Sequence, residues 1–317
     1  MKFVACADLH FTDKTPKNRT DNYLDSQLMK FTQILEYAEG EGAPLLIAGD
    51  VFDSVKVPYK ITKLIMDTIG FYNVQIFATF GQHDLVYHSD GLNNTPLGIL
   101  STMKQVNILP CDTNISWEGG KDHPEVSIIG QGWNQKIKEG EGADILVTHQ
   151  MVVHKKPLYP GQEDYSTANQ VMNKYPWASF IISGDNHLPF TQYKKGKGQT
   201  LINCGSMMRK GKDQINHKPC VWLIDTDSRS IEDCYELKVH PYRKVFDLNK
   251  IKREELQQDS KEQARVDIEK FVNSLCMSGA NKPRFQNILK RVIKEVKPDT
   301  EVINIINELM EEVRMGE

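Results

Sequence analysis

Five short motifs in a fixed order place carboxylates and imidazoles directly after apolar runs: Asp8-Leu9-His10, Gly49-Asp50, Gly81-Gln82-His83-Asp84, Thr148-His149-Gln150 and Gly184-Asp185-Asn186-His187. Asp8 and His10 follow the first run, and in an extended segment residues two apart project to the same side, so both could reach one metal ion. A mixed oxygen and nitrogen donor set suits a borderline divalent ion such as Mn²⁺, Fe²⁺ or Zn²⁺ better than a purely hard one. Two such ions about 3.5–4 Å apart share a carboxylate, clamp a phosphate and acidify a bridging water for in-line attack. Asp50 is the natural bridge. Singly, each motif is weak: Asp-x-His is common by chance, Gly49-Asp50 and Gly184-Asp185-Asn186 read as turns, and His149 reads as a satisfied core histidine. Their order points to metal-assisted phosphoester chemistry.

Residues of this kind need rigid strand ends to hold them, and the sequence supplies candidates. The runs Lys2 to Ala7, Leu45 to Ala48, Val74 to Phe80, Ile145 to Val147, Phe180 to Ile182, Leu201 to Asn203 and Val221 to Ile224 are short and apolar, as strands buried on both faces are. Helical stripes lie between them, at Leu24, Leu28, Phe31, Leu35 and Ala38, and at Ile61, Ile65 and Ile69 after Pro58. From about Lys121 to residue 240 strand-like runs dominate, which predicts a second sheet. The expected fold is α/β: a two-sheet β-sandwich flanked by helices over residues 1–240, with a small, mainly helical appendage over 241–317. In that appendage Arg253 to Cys276 is polar and helix-favouring. Stripes at Phe285, Ile288, Leu289, Val292 and Val296, and at Val302, Ile305, Ile306, Leu309 and Val313, predict a closing helix pair.

The chain has 317 residues and a formal net charge of -3, so it is no polycation, and any nucleic-acid contact must come from local basic patches. Six scattered cysteines (Cys6, Cys111, Cys204, Cys220, Cys234 and Cys276), with no Cys-x-x-Cys pair, read as reduced core thiols. The apolar run at the start stops at Asp8, too short for a signal-peptide core, and no stretch approaches a membrane span. A soluble cytoplasmic protein without a membrane partner is expected.

The ordered motifs resemble those of the calcineurin-like metallophosphoesterases. Within that superfamily, Gly49-Asp50-Val51-Phe52-Asp53, His149-Gln150 and Asn203-Cys204-Gly205-Ser206-Met207-Met208-Arg209 are most similar to SbcD-type DNA-repair exonuclease subunits and their phage relatives. The resemblance covers roughly residues 1–240. It implies a double-stranded-DNA exonuclease and single-strand endonuclease with two divalent ions, Mn²⁺ foremost and Mg²⁺, Fe²⁺ or Zn²⁺ as alternatives. It also implies an SbcC-like coiled-coil ATPase partner and a homodimer through helices of the catalytic domain. Position by position, Asp8, His10 and His187 would hold the first metal, Asp50 would bridge, and Gln82, His149 and Asp185 would hold the second. His83 would lie over the scissile phosphate, with Asp84 orienting its other ring nitrogen. The family has Asn where Gln82 stands and His where Asp185 stands. The longer side chain moves the amide oxygen by about 1.5 Å, and the extra carboxylate hardens the second site toward Mn²⁺ or Mg²⁺.

Lys194, Lys195 and Lys197, with Arg209, Lys210 and Lys212, flank the last motifs and are candidate DNA-phosphate contacts; solvated hairpin loops are the alternative. His154 lies close enough to His149 to be a spare ligand. Lys282, Arg284, Lys290, Arg291, Lys294 and Lys297 make one appendage helix basic, which is either a solvated face or part of a dock for a coiled-coil partner. The expected function is a two-metal DNA nuclease of SbcD type. The alternatives are a phosphodiesterase for nucleotides or other small molecules, and a non-catalytic subunit whose second metal site has changed.

Overall fold

In the computed structural model, β1 (Lys2–Cys6) sends alternate side chains into two different cores. Val4 and Cys6 pack with α1 (Tyr23–Gly40) and α2 (Tyr59–Gly70), while Phe3 and Ala5 meet the second sheet. A strand buried on both faces has no polar side, which is why its sequence is continuously apolar. The structure describes residues 1–86, 91–118 and 125–277, together with residues 290, 293–294, 302–304 and 306–307. Two compact units divide the chain, Met1–Asp247 and Leu248–Glu317.

The first unit is a sandwich of two six-stranded mixed sheets between helical layers. In one sheet β1, β2 (Leu45–Ala48), β3 (Ile76–Thr79) and β4 (Asn107–Ile108) run parallel, with α3 (Pro96–Thr102) preceding β4. The other contains β5 (Ile115–Trp117), β6 (Val126–Gln131), β7 (Ile145–His149), β10 (Phe180–Gly184), β11 (Phe190–Lys194) and β12 (Gln199–Asn203), and its β6, β7, β10 and β12 are parallel. Between β7 and β10 lie the short pair β8 (Val152–Val153) and β9 (Ser166–Thr167) and helix α4 (Ala168–Lys174). Ala168, Val171 and Met172 of α4 pack on Leu146, Ile181 and Leu201, covering the outer face of this sheet.

Four expectations are corrected. The last strands, β13 (Cys220–Asp225) and β14 (Ser230–Glu236), leave the second sheet and return to the first, where β13 pairs antiparallel with β1 through Phe3 with Ile224 and Val4 with Leu223. The free edge of β1 needs a partner for its backbone groups, and β13 supplies it. The second sheet also begins earlier, at Ile115, than the composition change at Lys121 suggests. Residues 241–247, including α5 (Tyr242–Val245), stay with the first unit: Val245 and Phe246 are buried, and the N–H of Thr20 donates to the carbonyl of Val245. Finally, Cys6 and Cys204 are buried, but Cys111 and Cys220 are only partly so and Cys234 is exposed.

In the second unit, α6 (Leu248–Met277) is one 30-residue helix through the polar, helix-favouring segment. Most of the expected closing helix pair lies outside the described residues, as do His88, His123 and Cys276's side chain. Among the described residues no helix is long and apolar enough to cross a membrane.

On the inner face of α1, Lys30 is 2% exposed, with Nζ 3.1 Å from the Met208 sulfur. Burial, reinforced by the cations Arg19 and Arg209, lowers its pKa from 10.5 to about 7. Between those values the unfolded chain holds the extra proton, so stability rises with pH by roughly 1.4 kcal/mol per unit. Below the folded value both states are protonated and the whole desolvation penalty stands. Lys30→Met is therefore expected to raise the unfolding temperature near neutral pH and to flatten its climb toward alkaline pH; an unchanged slope would contradict this.

Candidate metal centre

The C-terminal ends of β1, β2 and β3 meet those of β7 and β10 at one pole of the sandwich, and all five motifs arrive there. In three of the motifs the backbone leaves strand geometry in the same way: Asp8, His10, Asp50 and Asp185 take φ of 52°, 50°, 49° and 80°. This corrects the extended reading of Asp8 and His10, which share a site because left-handed turns re-aim each of them. Such conformations cost on the order of 1–3 kcal/mol each and persist only where surroundings hold them. Here the N–H groups of Asp8, His10 and Phe11 donate to the carbonyls of Gly49, Asp50 and Val51 at 3.1, 3.0 and 2.9 Å, locking the two loops together. The buried Gln27 amide on α1 adds a bond to the His10 carbonyl at 2.7 Å.

Glycines in the motifs permit close approach. A Cβ on Gly81 would lie 2.0 Å from Asp50 Oδ1 and 2.6 Å from His149 Nε2, and one on Gly49 would lie 2.3 Å from His149 Nδ1. Neither position accepts another residue without moving a site side chain.

Three sets of donor atoms converge: Asp8, His10 and His187; His10, Asp50 and His83; and Asp8, Asp50 and His149, each with all atoms within 4.8 Å of one another. Asp50 Oδ2 stands 3.6 Å from His10 Nε2, 3.5 Å from His149 Nε2 and 3.9 Å from His83 Nε2. His10 Nε2 and His187 Nε2 face each other at 3.1 Å, and each lies 3.9 Å from Asp8 Oδ1.

At His10 and His187 the electrostatics fit a metal. Burial, followed by the nearby Lys210 cation, lowers the pKa of both His10 and His187, the latter to about 4. Both rings are then neutral at pH 7 and can turn lone pairs toward the same point between carboxylates, an arrangement a divalent cation satisfies. Burial raises the pKa of Asp8, and Asp50 and Asp185 add to the rise. For Asp50 burial acts upward but is outweighed by His149, His10 and His83, so its carboxyl is held well below the usual range. Burial opposes protonation of His149, yet Asp50, Asp8 and Asp185 outweigh it and raise its pKa to about 10. His149 Nδ1–H donates to the Ala48 carbonyl at 2.7 Å, which reserves Nε2 for the cluster, as a ligand histidine requires.

A calcineurin-like phosphoesterase family model matches residues 1–189. The chain belongs to that family. The family is one of metal-dependent phosphoester hydrolases that bind divalent ions, and the converging donors are the candidate ligands. A search of curated proteins finds no significant match. Similar solved structures include an archaeal phosphodiesterase (16% identity, TM-score 0.40, covering 75% of this chain and 100% of that one). Another is a putative 5′-nucleotidase from Staphylococcus aureus in complex with α-ketoglutarate (15%, 0.46, 75% of this chain and 54% of that one). A third is the protein TT1561 of Thermus thermophilus (10%, 0.43, 75% and 99%).

The remaining phosphoesterase motif residues divide into those the fold brings to the cluster and those it does not. Gln82 reaches it: Oε1 lies 3.0 Å from His149 Nε2, and Nε2 donates to Asp185 Oδ1 at 3.0 Å. Gln82, His149 and Asp185 therefore form one chain of contacts, and the Asp185 N–H donates to both Asp8 oxygens at 3.2 and 3.1 Å. His83 stands at the rim with its side chain 44% exposed. Asp84 does not orient it. In the tight 3-10 turn Gln82–Asp84 successive side chains diverge, and the buried Asp84 carboxylate instead accepts from the N–H groups of Val51, Phe52 and Gly81 at 3.2, 3.0 and 3.0 Å. Burial, followed by Asp50, raises its pKa to about 7 against those three donors. The partner of His83 Nδ1 is the Asp53 carbonyl at 2.9 Å, a contact no sequence pattern signals.

The basic candidates separate further. β11 runs away from the site, since Phe190 pairs with Asn203 at the site end and Lys194 with Gln199 at the far end. Lys194 and the turn Lys195–Lys197 therefore lie at the opposite pole, and Lys194 Nζ bonds Asn173 Oδ1. Arg209 is buried, donating to the carbonyls of Ile215 and His240. Lys212 is exposed in the turn Lys212–Gln214. Lys210 meets a residue of the cluster's rim through its ion pair with Asp53 at 2.6 Å. His154 is not a spare ligand, because its Nε2 pairs with Gln192 Oε1 at 2.9 Å and its ring tilts against Phe190. Asn203 has a positioning role that its motif alone did not show: its amide donates to the Asn186 and Leu188 carbonyls at 2.7 and 2.8 Å, fixing the loop that carries His187.

Asp84→Asn leaves one oxygen for three N–H donors and aims an NH₂ at them. Urea unfolding of the metal-free variant is expected to show a loss of about 1–3 kcal/mol. A variant as stable as the parent would show that the carboxylate does not hold the Val51–Phe52 and Gly81 loops together.

Proposed function

We propose that the protein is a two-metal DNA nuclease of SbcD type, hydrolysing phosphodiester bonds with Mn²⁺ as the preferred ion. The observation that carries this reading is the open rim of the cluster. The side chains of His83 and His187 are 44% and 32% exposed beside fully buried Asp8 and Asp50, so a phosphate within a polymer can reach the donors from solvent. The similarity of the Gly49–Asp53 and Asn203–Arg209 segments to SbcD-type subunits supports the choice of polymer over small ester.

Asp8, His10, His187 and Asp50 would hold one ion; Asp50 and His149, with Gln82 and Asp185, the other. Divalent ions bound there would polarise a phosphoryl oxygen and acidify water at neutral pH. The residues of the chain do the rest. Because the Asp53 carbonyl can only accept, His83 Nδ1 keeps its proton, and Nε2 is the atom that faces Asp50 and exchanges a proton with the leaving oxygen. A buried Asp8 and Asp50 exclude water from the back of the site, and the Asp185 N–H holds Asp8 in place.

As partners we propose DNA, an SbcC-like coiled-coil ATPase received by the C-terminal region that begins with α6, and a second copy of the chain, with no membrane and a cytoplasmic location. The dimer would use α2 and α3, just past whose C-terminal ends Phe71 and Met103 stand 83% and 58% exposed.

Purified full-length protein with Mn²⁺ is expected to cut linear duplex or single-stranded DNA in preference to a small chromogenic diester. His83→Ala should slow DNA cutting by about 10²–10⁴-fold. Turnover of the small diester alone would favour a small-molecule phosphodiesterase, and no metal-dependent turnover at all would favour a non-catalytic subunit.

A further inference from the structure

Lys210 sits beside the cluster without serving it as a ligand. Its Nζ pairs with Asp53 Oδ1 at 2.6 Å, and the same oxygen is 3.5 Å from His10 Nδ1. The main chain of Asp53 meanwhile holds the rim residue His83 through its carbonyl. One residue thus links the ammonium of Lys210, the back of a ligand ring and the exposed imidazole.

The position of Lys210 is fixed from behind. The preceding Arg209 is buried, its guanidinium tied to the Ile215 and His240 carbonyls and its own carbonyl accepting from Arg19 Nη1 at 2.7 Å. The Lys210 N–H donates to Gln214 Oε1 at 2.7 Å. Its side chain is nevertheless 27% exposed, and that of Asp53 is 31% exposed. Of the three ammonium donors, one is engaged by Asp53, and among the described residues no other bond to Nζ is found. Half-exposed ion pairs contribute little to stability, roughly 0–1 kcal/mol, so holding a cation here has little structural value. The pair is instead well placed to exchange partners.

We propose that Lys210 binds a phosphate of the nucleic-acid strand next to the scissile one, and that the Asp53 carboxylate is its resting counter-ion, occupying the ammonium until a phosphate displaces it. This rests on the nuclease reading and assigns one strand contact within it. Asp53 and the phosphate compete for the same donor, so removing one or the other has opposite effects. Lys210→Met deletes the contact and weakens binding. Asp53→Asn frees the ammonium and removes a negative charge from the mouth, and so strengthens it. In the absence of Lys210, Asp53→Asn loses most of its effect.

The test is anisotropy of a fluorescein-labelled single-stranded oligodeoxynucleotide with full-length protein and Ca²⁺, over a series of salt concentrations. Lys210→Met is expected to weaken binding roughly tenfold and to reduce the log–log salt slope by about one. Lys210→Arg should restore the slope. Asp53→Asn should tighten binding, and the double variant should resemble Lys210→Met. An unchanged slope in Lys210→Met, or weaker binding in Asp53→Asn, overturns the assignment while leaving the nuclease reading intact. Wild-type protein that hydrolyses a small chromogenic diester yet binds no oligonucleotide overturns both.

Discussion

Asp50 places a buried negative charge 3.5–3.9 Å from three imidazoles that come from different strand ends. Taking a carboxylate out of water costs several kcal/mol unless charges and donors surround it. Its surroundings are built for that: the His83 N–H donates to Oδ1 at 3.1 Å, and Gly49 and Gly81 leave room for His149. Behind it, Asp84 gathers three backbone N–H groups of the loops on either side. The left-handed turns at Asp8, His10 and Asp50 belong to the same arrangement, because each aims a short polar side chain at the junction of the two sheets.

Around that charge the site is asymmetric. On the side of His10 and His187 burial and the Lys210 cation keep the rings neutral, which favours ligands that act through nitrogen lone pairs. On the side of His149 the carboxylates of Asp50, Asp8 and Asp185 favour positive charge, and the Gln82 amide spans His149 and Asp185. A harder, more anionic environment on one side and a nitrogen-rich one on the other means that two ions would not be held alike.

The positions of the motifs were legible because each follows a short apolar run, and runs such as Leu45–Ala48 and Phe180–Ile182 have no polar face to mislead the reading. Which sheet a strand joins was not legible in the same way. β13 lies between elements of the second sheet and the tail in sequence, yet pairs with β1, because register is decided by a free edge elsewhere in the fold. The same limit explains the basic residues: Lys194 and Lys210 both flank motifs, but a hairpin carries one to the far pole and a buried arginine anchors the other at the site. Asp84 was misread because its neighbour in sequence, His83, is not its neighbour across the 3-10 turn. Short helices such as α4 carry too few turns to show a stripe.

If Asp50 is the shared carboxylate, metal stoichiometry reports it most directly. Calorimetric titration of the metal-free full-length protein with Mn²⁺ should give two ions per chain, and Asp50→Asn should weaken both together. A single ion in the parent at saturating Mn²⁺, or a variant that loses one ion while binding the other as tightly as before, would contradict a centre organised around that carboxylate.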